Sequence, residues 1–471
     1  MKRKDILTHE FDVVIKDSRS VSVPASCLLT LPIAGWDAAI IELSIPHALM
    51  PTPALHNPCT VEGHDRFGRT IKMTEVWYRE LPMEAGRKAG SSPVVLSHVG
   101  HIICTHFFAP EVDGNSTAST LRVCMAKHEF LRVQRSRNVT YEHTGQTEDL
   151  FTLEIDGAGT VQFIRHWSFA GASDDYESQL KCSLQAVIKF ESDKPPSLVG
   201  RKEVLTEALL VPSVLSRQRL HVVGWKTQGV GLEEQVWQNP LAPLQPKYAM
   251  AEPQAYLVLE RDFADIANHA ISQYQRTSQE LRKVLLHMAV GLAPYLEYGE
   301  AEHFLVMFHA LEACRKFATQ DVPPEVKAEN ADLLAILSDV KLHSTPQISL
   351  RLQGYMSTVE KGKLSLAMQL RQVLGTWGVY LDDLWPLSGN SRDPGLKDIR
   401  DVLSHTGSIG VNPQGLAVAS WHLRVLLERV FIALLGIPLE KTSVSLAAIQ
   451  VNPWCLPSFV QEQRKRVFQS H

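Results

Sequence analysis

Arg400 and His405, separated by Asp401-Val402-Leu403-Ser404, are the two side chains of this sequence whose types and spacing best suit joint chemistry. A guanidinium holds a phosphate through two parallel N–H groups and stabilises the charge that develops on it. An imidazole moves a proton near neutral pH. Together they suit phosphodiester cleavage on RNA. His405 would take the 2′-hydroxyl proton or protonate the leaving oxygen, giving a 2′,3′-cyclic phosphate and a 5′-hydroxyl. DNA lacks that nucleophile and would be spared.

The local pattern says what must position these groups. Leu396, Ile399 and Leu403 recur at intervals of three and four, the buried stripe of a helix that Gly407 can end with a positive φ. Asp401 and His405 lie one turn apart, so the carboxylate is expected to hold one imidazole nitrogen. Arg400 precedes His405 by five residues, about 140° around a regular helix, so one straight helix does not bring them together. A frayed last turn or a second copy of the helix would. The bare spacing discriminates little, because Arg3/His9, Arg122/His128, Arg137/His143, Arg282/His287 and Arg464/His471 are similarly spaced. Arg282/His287 falls on a long helix beside Lys283 and reads as a solvated face.

A chain of 471 residues is long enough for two or three domains with sizeable cores. Its net charge of −4 argues against broad coating of nucleic acid and confines RNA to a local cleft. Met1-Lys2-Arg3-Lys4-Asp5 leads into a polar segment, so no secretory signal is read. No apolar run approaches the ~20 residues of a transmembrane helix. The seven cysteines include no Cys-x-x-Cys pair and fit reduced thiols in a cytoplasm.

The expected class is α+β and multidomain: a β-rich region over 1–223, a linker over 224–254 and an all-α bundle over 255–471. Phe11-Asp12-Val13-Val14-Ile15, Ser20-Val21-Ser22-Val23, Ala39 to Leu43, Thr152 to Ile155 and Leu184 to Ile188 are strand-length runs, with turn residues such as Asp113-Gly114-Asn115 between them. His98, His101, Cys104 and His106 could place ligands on a strand, but no second pair completes a recognisable set, and no metal or other cofactor is expected. Gly157-Ala158-Gly159 reads as a turn. Pro240, Pro243 and Pro246 recur every third residue in the linker.

Beyond the linker the period becomes helical. Phe263, Ile266, Ala267, Ala270, Ile271 and Tyr274 form one stripe, continued by Leu281, Val284, Leu285 and Met288. Ala301 to Phe317 is apolar nearly all round and reads as the central helix. Leu333 to Leu337, Leu364 to Tyr380 and Leu416 to Leu435 supply others, the last stopped by Gly436-Ile437-Pro438. The sum is a bundle of about five or six helices. The tail Gln463-Arg464-Lys465-Arg466 reads as a frayed charged terminus able to touch phosphates.

Three pieces of this half resemble a known family, the HEPN domains, and within it the ApeA type of bacterial anti-phage defence proteins. Phe304 to Ala313 resembles the family's central helix, Ile399 to His405 its Arg-polar-x3-His signature, and Leu426 to Pro438 its closing helix. The N-terminal half resembles the ApeA N-terminal region only loosely. The resemblance implies a metal-independent endoribonuclease, homodimeric through the HEPN domain, with Arg400 and His405 catalytic and Asp401 at the polar position where the family often has Asn. Glu312, projecting from an apolar helix, is a candidate supporting residue, or a buried structural partner of a cation. The implied role is abortive infection in the cytoplasm, with no membrane involved: RNA, transfer RNA included, is cut when a phage-derived signal reaches the N-terminal domain. The alternative is a non-catalytic dimerisation and RNA- or nucleotide-binding adaptor.

Overall fold

The computed structural model describes residues 6–32, 40–46, 56–78, 91–94, 96–99, 101–107, 120–125, 147–155, 159–169, 180–189, 208–217, 219–220, 222–229, 232–238, 256–294, 298–319, 324–360, 364–390, 392–407 and 410–468. The chain is α+β, with a β-rich N-terminal region and a helical C-terminal one. It divides into two compact units, Met1–Gln245 with Glu260–Arg276, and Pro246–Leu259 with Thr277–His471.

The first unit is an antiparallel sheet. Its strands are β1 (Ile6–Lys16), β2 (Ser22–Pro32), β3 (Ile40–Pro46), β4 (Cys59–His64), β5 (Thr70–Tyr78), β6 (Ser91–Val94), β7 (Leu96–His98), β8 (His101–Phe107), β9 (Thr120–Met125), β10 (Thr147–Ile155), β11 (Gly159–Phe169), β12 (Leu180–Lys189), β13 (Val222–Gly229) and β14 (Leu232–Gln238). They run in the order β10-β11-β12-β9-β13-β14-β8-β5-β4-β1-β2-β3-β6, with β7 beside β5. Period-two alternation sets the buried face: Phe11, Val13 and Ile15 on β1 meet Val23, Ala25, Cys27 and Leu29 on β2, while Asp12 and Lys16 face out.

Two expectations need correction here. The segment 224–254 does not begin as a linker: β13 and β14 form a hairpin between β9 and β8, with Val236 buried. Its Gln, Gly and isolated Trp residues hid strands whose backbone is satisfied on both sides by neighbours. The stripe from Phe263 to Tyr274 belongs to α2 (Glu260–Arg276), which lies against β10 in this first unit and is a helix separate from the one that follows. A short helix, α1, covers 208–215 with every residue buried; an apolar run that carries Pro212 gave no helical period to read.

The second unit holds α3 (Gln279–Leu292), α4 (Glu300–Ala313), α5 (Pro324–Leu342), α6 (Pro346–Glu360), α7 (Leu366–Thr376), α8 (Leu396–Thr406), α9 (Pro413–Leu434), α10 (Leu446–Gln450) and α11 (Pro457–Arg466). These outnumber the five or six expected. Ser278 caps α3 by accepting from the Leu281 N–H, which is what separates it from α2. Asn412 caps α9 by accepting from the Gln414 and Gly415 N–H groups, and Pro413 starts the helix three residues before the expected Leu416. The most enclosed of these helices is α9, buried on all sides from Val418 to Ile432. It takes the place expected for α4, which packs against α3, α8 and α9 but keeps His309 exposed. Among the described residues no helix is long and apolar enough to cross a membrane.

Candidate functional site

The approach to α8 is fixed before any reactive residue is reached. The Asp398 carboxylate accepts from the Gly395 N–H at 2.8 Å and the Gly389 N–H at 2.9 Å. The Leu396 and Lys397 N–H groups, orphans of the first helical turn, donate to the Pro386 and Leu387 carbonyls. Leu396, Ile399 and Leu403 are buried as the spacing predicts. Gly407 ends α8 with φ 64°, its N–H donating to the Leu403 carbonyl. The adjoining face of α8 therefore holds Arg400 against α4.

Arg400 Nη2 donates to Glu312 Oε1 at 2.6 Å, and Nη1 to Asp401 Oδ1 at 2.9 Å. Its Cζ lies 5.9 Å from the centre of the Phe308 ring, a cation–π placement. Lys397 Nζ donates to Asp401 Oδ2 at 2.6 Å. On the other side His309 Nε2 stands 4.0 Å from Glu312 Oε2, with its side chain 65% exposed. Two cations and two carboxylates thus balance, with an exposed imidazole at one end.

Burial works against the charge on Arg400, but the hydrogen bonds to Asp401 and Glu312 outweigh it and raise its pKa. Burial likewise pushes the Asp401 carboxyl up, and the Lys397 and Arg400 hydrogen bonds overcome that and hold it below the ordinary aspartate range. One nitrogen is left over: Arg400 Nε is buried and has no hydrogen-bond partner among the described residues.

Of the sequence-predicted site, Arg400, Asp401 and Glu312 come together. His405 does not join them. It lies exposed in the last turn of α8, with no hydrogen bond or ion pair among the described residues. The expected Asp401–His405 contact is absent, because Asp401 is bonded to Lys397 and Arg400. Lys397 and His405 each lie one turn from Asp401, and it is Lys397 that the carboxylate takes. The last turn does not fray either: α8 stays helical through Thr406, so Arg400 and His405 point about 140° apart.

His309 is the residue that the sequence reading missed. Its signal was the spacing of three to Glu312 on one helix face. Arg464 is not a loose tail cation, since its guanidinium donates to the Asp393 carbonyl at 2.6 Å and the Pro394 carbonyl at 3.1 Å. Arg3 and His471, the pair Arg137/His143, the turns at 113–115 and 156–158, and the side chains of Arg122, His128, His98, His101, Cys104 and His106 lie outside the described residues. Among the described residues no three His, Cys, Asp or Glu side chains gather to hold a metal ion.

No family model, curated protein or solved structure matches this chain.

Proposed function

We propose that this chain is a HEPN-type endoribonuclease of anti-phage defence, cutting RNA by metal-independent transesterification with Arg400 and His405 as its catalytic residues. The observation that supports it is the pairing of a guanidinium clamped on α8 by Glu312 and Asp401 with an exposed imidazole at the end of the same helix. Their divergence on one helix is met by pairing two chains, so that Arg400 of one faces His405 of the other across a two-fold axis.

In that arrangement His405 removes the 2′-hydroxyl proton and the freed oxygen attacks phosphorus. The P–O5′ bond breaks, the 5′-oxygen takes the proton that His405 has received, and a 2′,3′-cyclic phosphate remains. Arg400 carries the charge on the non-bridging oxygens. For that, a phosphate must displace a carboxylate from Arg400, which suits an enzyme kept silent until a trigger acts through the β-rich unit. Transfer RNA is among the candidate substrates, because its loops expose unpaired 2′-hydroxyls.

The test is incubation of wild-type and His405→Ala protein with total bacterial RNA in EDTA, followed by mapping of the cut ends. Cyclic-phosphate ends made only by the wild type support the reading. A second reading, a non-catalytic dimerisation and RNA-binding module, is favoured by the same two carboxylates, which make Arg400 resemble a structural arginine. Equal RNA affinity of both proteins with no cleavage, even with phage lysate added, would establish that reading. So would unimpaired phage protection by Arg400→Ala and His405→Ala.

A further inference from the structure

The helices α5 and α6 form a hairpin joined by residues 343–345, and each packs chiefly on the other. Among their described residues none is buried. Yet both are rich in large apolar side chains. The inner seam uses Leu334 and Leu337 from α5 and Leu352, Met356 and Val359 from α6, all half-buried. A second stripe lies beside it and is open: Leu333, Ile336 and Val340 at spacings of three and four on α5, and Ile348 and Tyr355 seven apart on α6. Ile336 is 60% exposed and Tyr355 67%.

A helix with two adjacent apolar stripes is built to touch two neighbours, and here each has one. We infer that a second copy of this chain supplies the other, the two α5–α6 hairpins closing into an antiparallel four-helix bundle about a two-fold axis. Two observations choose a second copy over a different partner. The open stripes lie on both helices of one hairpin, so the surface is self-complementary when α5 of one copy meets α6 of the other. Their flanking charges are opposite: Asp332 and Asp339 border the α5 stripe, and Arg351 borders the α6 stripe. Neither Asp332 nor Arg351 makes an ion pair among the described residues.

This contact involves neither α4 nor α8 and stands apart from catalysis. It is tested on the full chain by sedimentation over a dilution series, with hydrogen exchange read at α5 and α6. The wild type is expected to gain mass with concentration while exchange over 333–356 slows in step. Ile336→Glu/Tyr355→Glu should weaken that association by about tenfold or more. Arg351→Glu should weaken it less, and adding Asp332→Lys and Asp339→Lys should restore it, an outcome that misfolding cannot produce. A mass unchanged by the double glutamate variant would overturn the inference. So would exchange independent of concentration: if slow, another part of the same chain covers the face; if fast, the face stays open.

Discussion

Two arginine–carboxylate pairs in the helical unit use the same chemistry to different ends. Arg429 on α9 is sealed: Nη1 and Nη2 each donate to Asp383 at 2.6 Å, Nη1 also donates to the Tyr380 carbonyl at 2.9 Å, and Nε donates to the Val444 carbonyl at 3.1 Å. Its side chain is 2% exposed. Arg400 is open: 27% exposed, braced by two carboxylates and an aromatic face, with Nε unpartnered. A guanidinium with all three nitrogens engaged holds walls together. One that is partly exposed can meet a ligand that displaces a carboxylate from it.

Each region also has its histidine. His422, beside the sealed pair, is fully buried; its Nδ1 accepts from the Trp385 N–H at 3.3 Å and its Nε2 donates to the Trp454 carbonyl at 3.0 Å. Burial drives its pKa down to about 4. His405 in the open region touches solvent. If the comparison holds, the sealed group governs stability and the open group governs activity.

The sharpest break would come at Arg429. Arg429→Ala leaves Asp383 uncompensated and should cost about 3–5 kcal/mol, read as a fall in the denaturation midpoint of the helical unit. Of similar size but opposite kind, His405→Ala should lower RNA cleavage by roughly 10²–10⁴-fold with an unchanged melting curve. Next comes acidity. The folded-state pKa of His422 lies below its unfolded value of 6.5, so the unfolded chain takes up a proton that the folded chain refuses as pH falls from 6.5 towards 4. Stability should drop through that window by about 3 kcal/mol at most, and His422→Gln should flatten the profile. Smallest is Glu312→Gln, which keeps the shape but removes a charge from Arg400: about 1 kcal/mol of stability, and a rise in RNA affinity if that carboxylate competes with phosphate. An unchanged affinity there would place Arg400 with Arg429 as a structural arginine.

How far the sequence carried depends on range. The frame of α8 was legible because Leu396, Ile399 and Leu403 and the stop at Gly407 are all local signals. Glu312 was legible as an oddity, a charge on an apolar helix, though not as the partner of a residue 88 positions away. The Asp401–His405 contact was misread because i,i+4 geometry offered two neighbours and the sequence does not rank them. The hairpin β13–β14 and the helix α6 were missed for one reason. Their apolar residues follow no single clean period, β13–β14 because it sits inside a sheet and α6 because it carries two stripes.

The approach to α8 carries a consequence for anyone scanning this chain by saturation mutagenesis. A side chain on Gly389 would overlap the Asp393 carbonyl and the Gly395 nitrogen, and one on Gly395 would overlap the Ser388 backbone. Both glycines should drop out of a functional library as completely as a catalytic His405 would, although neither has a reactive atom. Depletion at all three would draw the boundary of an active site too wide. Only a parallel readout of protein abundance, low for the glycine variants and normal for His405, would redraw it.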